Sequence, residues 1–439
     1  MQNISVIGLG KLGVCTAACL AYKGFNVLGV DINQDIVKNI NSGFSCIHEP
    51  KLQEIIKKSK KNLIATTEYD DVINHTDLTI VIVPTPTQDN GNFSNKYLID
   101  VFTILGDKFK KSNKNYHLFV CTSTVSPETC DQILIPHIEK ISEKQLSLDF
   151  GFCYNPEFIA LGSVIHDTLN PDMVLIGGSD KKGGDILQTV YERMCDNKPY
   201  IARMSIISAE IAKISLNAYI TMKISFANTL GNICENVSGS EIDKITSAIG
   251  ADKRISPYYL KAGLGFGGPC FPRDNKAFAA FSKKFGVNAD LAVSTDNINF
   301  KQNQILINHV MNSIQNDSCE VAILGMSYKQ KTPVIEESPG LILLNHLIKR
   351  SIPVSIYDPL AMDNVKSVFK DQIKYSHSVE KCIQSANVCI IALPYDEFKI
   401  LEVIELKDQF TIIDCWRLLN PEKINNNINY IQIGRCLKK

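Results

Sequence analysis

The first thirty residues carry the clearest hydropathy pattern. Residues 4–7 are a short β-branched run that enters Gly8-Leu9-Gly10-Lys11-Leu12-Gly13. Small and apolar residues follow over 14–23, and Gly24 closes that stretch. A second apolar run, 25–30, ends on Asp31. The pattern predicts strand, tight turn, helix and strand. Further strands are predicted at 78–84, 118–122 and 173–176, each bounded by turn residues or helical stretches, which implies a parallel sheet. From 206 to about 236 the period changes. Ile207, Ile211, Ile214, Ala218 and Met222 recur near helical spacing, so one long helix is expected as a connector between domains. Residues 237–300 read as mostly helical, except for the glycine-rich stretch 263–268. A second, smaller α/β unit is predicted from about 320. It has a strand at 321–325, a helix at 340–349, a strand at 354–358 ending in Asp358-Pro359, and strands at 388–393 and 410–414. The expected class is α/β, with two doubly wound domains joined by a long central helix. The two ends share only fold type, and no short-period repeat or low-complexity tract is seen.

The opening turn adds chemistry to that pattern. G-x-G-x-x-G between a strand and a helix lets the backbone turn tightly and approach a pyrophosphate, which the helix N-terminus attracts. Asp31 at the end of the second strand suits a ribose 2′-hydroxyl and repels a 2′-phosphate, which favours NAD over NADP. The bland alternative is an ordinary strand-to-helix turn. The combination of strand, motif, helix, strand and acid favours a Rossmann-like dinucleotide site.

Length and composition narrow the rest. A chain of 439 residues fits about two to three domains. It is 45% hydrophobic and 21% charged, which is globular composition. Lys+Arg and Asp+Glu are both 46, so no bulk electrostatic grip on nucleic acid or an anionic membrane is expected. The longest apolar runs have strand length and cannot span a bilayer. The segment MQNISVIGLG lacks the charged and apolar regions of a signal peptide, so a cytoplasmic protein is expected. Fourteen cysteines then read as mostly inert buried thiols. A disulfide scaffold is disfavoured by length, and a zinc site by the lack of a C-x-x-C pair, so no metal is expected.

One cysteine stands apart. In Gly265-Phe266-Gly267-Gly268-Pro269-Cys270-Phe271-Pro272-Arg273-Asp274 a thiol follows a glycine-dense loop and precedes an acid by four residues. If a helix starts near Cys270, Asp274 lies one turn on along the same face. The helix N-terminus and Arg273 would lower the thiol pKa and make a nucleophile; a structural cysteine beside a turn is the alternative. Lys213 and Asn217, four apart on the connecting helix, could aim an ammonium and an amide at one oxyanion. Taken alone, that pair reads as a solvated surface. Three loops follow strands, where open α/β sheets bind ligands: Val83-Pro84-Thr85-Pro86-Thr87, Cys121-Thr122-Ser123-Thr124-Val125-Ser126-Pro127 and Asn155-Pro156-Glu157-Phe158; taken alone, each reads as a turn with a capping residue.

Taken in order, these segments resemble the UDP-glucose/GDP-mannose dehydrogenase family over almost the whole chain, and the cysteine segment is the most specific match. Glu49-Pro50, Arg254, Tyr328-Lys329 and Asp358-Pro359 also match. The resemblance implies a four-electron oxidation of a nucleotide-sugar C6 alcohol to the carboxylate with two NAD⁺ and no metal. UDP-glucose is the first substrate expected, and a UDP-N-acetylhexosamine or GDP-mannose the alternative. It implies an NAD-binding Rossmann domain at 1–205. A central connector and dimerisation region with the cysteine loop follows at 206–300, and a nucleotide-sugar-binding domain at 301–439. Cys270 matches the nucleophile that passes through thiohemiacetal and thioester. Lys213 and Asn217 match the oxyanion pair, Asp274 and Thr124 the surroundings of the base and hydrolytic water, and Glu157 the general acid/base. Gly8, Gly10, Leu12, Gly13, Asp31, Thr85 and Thr124 match cofactor-binding positions. Glu157, Lys213, Asn217, Tyr259, Lys261, Gly267, Lys329 and Arg417 match substrate-binding positions. Arg254 matches an arginine that reaches a partner subunit's substrate, which implies a homodimer or larger homo-oligomer. Polysaccharide biosynthesis is the setting implied.

Three departures stand out. A second glutamate common four residues after Glu157 is Leu161 here. An arginine seven residues after Lys329 is Glu336, beside Glu337, which should weaken the grip on a diphosphate. The basic residue expected five positions after Asp31 is Ile36, with Lys38 nearby. These departures motivate a rival of another class, a catalytically silent NAD or nucleotide-sugar sensor. A two-electron β-hydroxyacid dehydrogenase is a further rival, but it needs neither the cysteine loop nor a second α/β domain.

Overall fold

Buried apolar strands alternate with helices to build two sheets in a computed structural model that describes residues 3–315 and 319–436. The chain divides into two compact units, Met1–Ser215 and Leu216–Lys439, and the 31-residue helix Ile206–Asn236 carries the boundary.

The first unit holds eight strands: β1 (Asn3–Ile7), β2 (Asn26–Val30), β3 (Leu63–Thr66), β4 (Leu78–Val81), β5 (His117–Cys121), β6 (Phe150–Tyr154), β7 (Met173–Gly178) and β8 (Tyr200–Met204). Their order is β3-β2-β1-β4-β5-β6-β7-β8. The direction of winding reverses between β1 and β4, where Ile4 pairs with Val27 on one side and Leu78 on the other. That reversal leaves a crevice at the carboxyl ends of the strands. β4, β5 and β6 are buried along their whole length because helices cover both faces. The helix Gly13–Tyr22 is made of small residues and is buried through Ala21, which lets it lie close on the sheet. The opposite face is aromatic, with Phe102, Phe109, Phe119, Phe150 and Phe152 in one cluster.

The second unit holds β9 (Val321–Leu324), β10 (Val354–Tyr357), β11 (Lys374–Tyr375), β12 (Val388–Ile391), β13 (Thr411–Asp414) and β14 (Asn429–Gln432). All pair in parallel, in the order β11-β10-β9-β12-β13-β14. This is the same winding as the first six strands of unit one. Helices Ile242–Gly250, Phe271–Lys284 and Asp290–Ser313 fill the central stretch.

Two expectations are corrected. The first sheet is not purely parallel: β7 pairs antiparallel with β6, through Cys153 with Gly178 and Tyr154 with Gly177, and β8 follows β7. The strand expected over 78–84 stops at Val81, because Ile82 leaves the ladder after donating to Ile7 O (2.8 Å) and Pro84 and Pro86 have no N–H. Among the described residues no helix is long and apolar enough to cross a membrane.

Candidate active site

In the first unit, the glycine turn meets the sheet at the reversal of winding. Gly8 has φ +90°, and a Cβ there would lie 2.2 Å from Ile82 O. A Cβ on Gly13 would lie 1.8 Å from Gly8 O. Both glycines are therefore required by the protein itself. Gly10 differs: it is exposed, and a Cβ would meet nothing within 4 Å. The room beside Gly10, at the start of a helix, suits the pyrophosphate of a dinucleotide. Asp31 accepts Leu9 N–H at 2.7 Å on one oxygen and Asn33 N–H at 2.9 Å on the other, so its carboxylate is held at the end of β2. Leu12 and Ile36 pack against the core beneath the turn, which gives position 36 an apolar role, and Lys38 is exposed.

The loops after β4 and β5 are stitched together. Thr85 donates to Thr124 O at 2.7 Å, and Ser123 Oγ accepts Val83 N–H (2.9 Å) while donating to Val83 O (2.7 Å). Thr124 itself is partly buried. The loop after β6 is anchored by Asn155, which donates to Leu175 O (2.8 Å) and accepts from Tyr191 OH (2.6 Å). Lys213, only 7% exposed, donates to Glu157 O at 2.7 Å and sits 4.7 Å from the centre of the Phe158 ring. Burial pushes the Glu157 carboxyl up to about 7, against the opposing pull of the Lys213 ammonium. That value suits a group that takes and returns protons near neutral pH. Farther along, Glu49 accepts Gly162 N–H and Val164 N–H, both at 2.9 Å, and caps the short helix Val164–Leu169 from outside. Leu161 packs against the same core cluster as Leu12. The leucine thus extends the apolar base of the loop.

In the second unit, the helix Phe271–Lys284 starts one residue after Cys270, with Pro272 in its first turn. Cys270 is the N-cap, and Asp274 N–H closes the first turn on Cys270 O at 2.8 Å. Among the fourteen cysteines Cys270 alone is exposed. Burial raises others out of reach, Cys19 and Cys153 both to about 12. Asp274 is 1% exposed; it accepts from Asn217 Nδ2 at 2.6 Å and lies 3.5 Å from Arg273 Nε. Lys213 and Asn217 thus share a helix at four-residue spacing, but each side chain has its own partner.

The glycines ahead of Cys270 allow close backbone approach. A Cβ on Gly267 would lie 2.2 Å from Glu337 O, and one on Gly268 would lie 2.6 Å from the Tyr328 ring. Gly268 N–H donates to Glu336 O at 2.9 Å. The loop therefore packs on the backbone that carries Tyr328, Lys329 and Glu336, and the carboxylates of Glu336 and Glu337 are exposed. Lys329 Nζ lies 5.8 Å from the Tyr328 ring centre. Tyr259 is half-exposed at φ +60°, with its ring 6.1 Å from Phe271, and Lys261 is exposed. Two arginines are engaged elsewhere. Arg254, 87% exposed, pairs with Asp252 (Nη2–Oδ2 2.6 Å). Arg417 is closed by Asp243 (2.6 and 2.9 Å), Ile433 O (2.6 Å) and Ala262 O (2.8 Å).

Several supporting residues were invisible in the sequence pattern. Glu210 accepts Glu128 N–H (2.7 Å) and Cys130 N–H (2.9 Å), and burial raises its carboxyl to about 7. Asn155 carries a local signal only as part of its strand-end loop, and Asn228, Asn299 and Gln302 carry none. Their partners lie far away in sequence, and Glu210 reaches Glu128 and Cys130 from about eighty positions on, so no local pattern marks them.

Comparison with known proteins shows which family the chain belongs to. The family models for the NAD binding domain, the central domain and the UDP binding domain of the UDP-glucose/GDP-mannose dehydrogenase family match residues 2–195, 207–301 and 322–421. A UDP-glucose 6-dehydrogenase of Haloferax volcanii is 33% identical over 404 residues, covering 91% of this chain and 93% of the relative. A GDP-mannose 6-dehydrogenase of Pseudomonas syringae is 36% identical over 361 residues, 81% of each chain. The solved structure of a UDP-glucose dehydrogenase from Pyrobaculum islandicum superposes with TM-score 0.91 at 27% identity, covering 99% of this chain and 98% of that one. With three consecutive domain models and relatives of this extent, the chain belongs to the UDP-glucose/GDP-mannose dehydrogenase family and is an NAD-dependent nucleotide-sugar dehydrogenase.

Proposed function

We propose that the protein oxidises UDP-glucose to UDP-glucuronate through Cys270. The observation that carries this reading is the single exposed thiol at a helix N-cap, after a glycine loop and one turn from a buried acid. Full-length similarity to UDP-glucose 6-dehydrogenases supports the sugar. The 36% identity to GDP-mannose 6-dehydrogenases over 81% of the chain keeps GDP-mannose as the second reading.

Residues 1–205 serve as the cofactor domain in this reading, 206–300 as the central and dimerisation region, and 301–439 as the nucleotide-sugar domain. Gly8, Gly10, Leu12, Gly13, Asp31, Thr85 and Thr124 hold NAD, which supplies a hydride acceptor for each oxidation. Glu157 takes the proton of the C6 alcohol in the first oxidation. Cys270 Sγ then adds to the aldehyde carbon, and the former carbonyl oxygen becomes the hydroxyl of a thiohemiacetal. The hydroxyl then loses its proton to solvent, and Lys213 and Asn217 stabilise the resulting alkoxide as the second hydride leaves. Glu157, having released its first proton to solvent, takes a proton from the water that Asp274 and Thr124 place, and that water cleaves the resulting thioester. The carboxylate leaves and Cys270 regains its thiol. Covalent capture keeps a reactive aldehyde in place between the two oxidations. Tyr259, Lys261, Gly267, Lys329 and Arg417 hold the nucleotide sugar.

The active form is a homodimer in this reading. On the helix Ile206–Asn236, Tyr219, Phe226 and Ile233 recur every seven residues and each is more than half exposed. Lys223, on the same helix, donates to Ile255 O (3.0 Å) and Ser256 O (3.1 Å), which docks the loop with exposed Arg254, Tyr258 and Tyr259 alongside. A seven-residue apolar stripe bordered by an exposed arginine suits a second copy of the chain. The setting is the cytoplasm, and the product feeds polysaccharide synthesis. The direct test is mass analysis of the product from UDP-glucose, beside Cys270→Ala. The wild type is expected to form UDP-glucuronate and the variant to bind UDP-glucose but form none. Unchanged uronate formation by Cys270→Ala would remove the thiol from the mechanism.

A further inference from the structure

Just before Cys270, residues 262–266 form a coil with no regular secondary structure, yet Ala262, Gly263, Leu264 and Phe266 are buried. A buried coil must find partners for its N–H and C=O groups. Here side chains supply them. Asn228, on the long helix, accepts Gly263 N–H at 2.8 Å and donates to Leu264 O at 3.1 Å. Asn299, on the helix Asp290–Ser313, accepts Phe266 N–H at 2.7 Å and donates to Phe266 O at 2.9 Å. Gln302, one turn later, donates to Gly263 O at 2.7 Å, and its own oxygen accepts from Asn232 at 3.1 Å. Asn228 and Asn299 each spend donor and acceptor on the main chain, as a neighbouring strand would.

The glycines of the loop make room for this arrangement. A Cβ on Gly265 would lie 2.4 Å from Asn299 Oδ1, and one on Gly263 would lie 2.7 Å from the Trp416 ring. The last rung reaches the thiol by a short path. The Phe266 ring, held at its backbone by Asn299, packs edge-on against Phe271 with centroids 6.4 Å apart. Phe271 is the first residue of the helix that Cys270 caps.

We infer that Asn299, with Asn228 and Gln302, forms a carboxamide cradle that positions the Cys270 thiol for capture of the aldehyde. These are positioning residues; none is assigned contact with the reacting atoms. The inference rests on Cys270 being the nucleophile. Glycines alone would leave the loop free to wander, and a thiol displaced by about an ångström loses reaction rate by orders of magnitude. A misplaced thiol has a distinct signature, because the first oxidation does not need it. The aldehyde would form and then escape before the second.

The test uses the full chain with UDP-glucose, excess NAD⁺ and a hydrazine that captures free aldehyde. Asn299→Ala is expected to lower kcat for uronate formation by at least about tenfold. NADH per sugar consumed should fall from two toward one, with the aldehyde hydrazone found by mass. UDP-glucose affinity by calorimetry should fall far less than kcat does, since Tyr259 and Lys329 hold the nucleotide sugar from outside the cradled coil. A purely structural role would lower stability and affinity together and release no aldehyde. Gln302→Met removes a single main-chain rung and is scored the same way if Asn299→Ala does not fold. Cys270→Ala is run beside them. If it still makes uronate at the wild-type rate, the nucleophile reading has failed and the cradle has nothing to position. If it makes none, while the cradle variants give two NADH per sugar at full kcat with no hydrazone, the cradle inference is overturned.

Discussion

Replacing Glu157 by glutamine should stabilise the first unit at alkaline pH while stopping the reaction. Burial moves the carboxyl from its ordinary 4.5 to about 7, with the Lys213 ammonium acting in the opposite sense. At about 1.4 kcal/mol per pH unit, that difference corresponds to roughly 3 kcal/mol of unfavourable ionisation in the fold. Between these two values the folded chain holds the proton that the unfolded chain has released, so stability falls as pH rises. The contribution is fully present below the unfolded value and is gone above the folded one. Between about pH 5 and about pH 8 the wild type should lose roughly 2–3 kcal/mol from this group alone, an upper bound that water penetration trims. Glu210 is raised to about 7 as well, so the wild type loses stability from two sites. The difference between wild type and Glu157→Gln isolates one of them. Urea unfolding can be followed by pulse labelling of Cys153, a buried thiol of β6 in the same unit, read by peptide mass. The two proteins should differ little at about pH 5, and the variant should be the more stable by roughly 1–3 kcal/mol at about pH 8. Its kcat should fall by about 10²–10⁴, because an amide cannot accept the alcohol proton. A stability gap that does not widen with pH, or widens in favour of the wild type, would refute the account of Glu157.

Other expectations separate architecture from chemistry. Gly13→Ala drives a Cβ into Gly8 O and should cost about 1–3 kcal/mol of stability, visible as a lower melting temperature. Gly10→Ala meets no protein atom, so it should melt within about 0.5 kcal/mol of wild type yet bind NAD at least about tenfold more weakly by calorimetry. Equal NAD affinity would mean that the space beside Gly10 is not the pyrophosphate cradle. Phe226→Asp puts a charge in the exposed stripe of the long helix and should turn a dimer into a monomer by light scattering. A wild type that is already monomeric would dispose of that interface.

Much of this was legible in the chain itself, because local chemistry set it. The β1 turn, the long helix and the Cys270 cap each follow from residues within one or two turns of each other, so periodicity and spacing were enough. Strands β3, β6, β8, β11 and β14 were less visible. β3, β8, β11 and β14 are short edge strands with mixed exposure, and β6 alternates aromatic with small residues that are all buried, so no apolar–polar alternation marks it. The antiparallel entry of β7 depends on a tertiary pairing that no local pattern encodes. The supports of the site were hidden for the same reason. Glu49 reaches Gly162 from 113 positions away, and Asn228 reaches Gly263 from 35. A buried carboxylate or carboxamide looks like surface polarity until the fold brings the N–H groups to it.

The central claim is a four-electron oxidation of one nucleotide sugar. It is tested most directly by counting NADH against limiting UDP-glucose, GDP-mannose and the UDP-N-acetylhexosamines, each with excess NAD⁺. The account predicts two NADH per UDP-glucose, with UDP-glucuronate as the only sugar product. One NADH per molecule would point to a simple alcohol dehydrogenase, and tight UDP-glucose binding with no NADH from any sugar would point to a silent sensor. Either result would contradict the account.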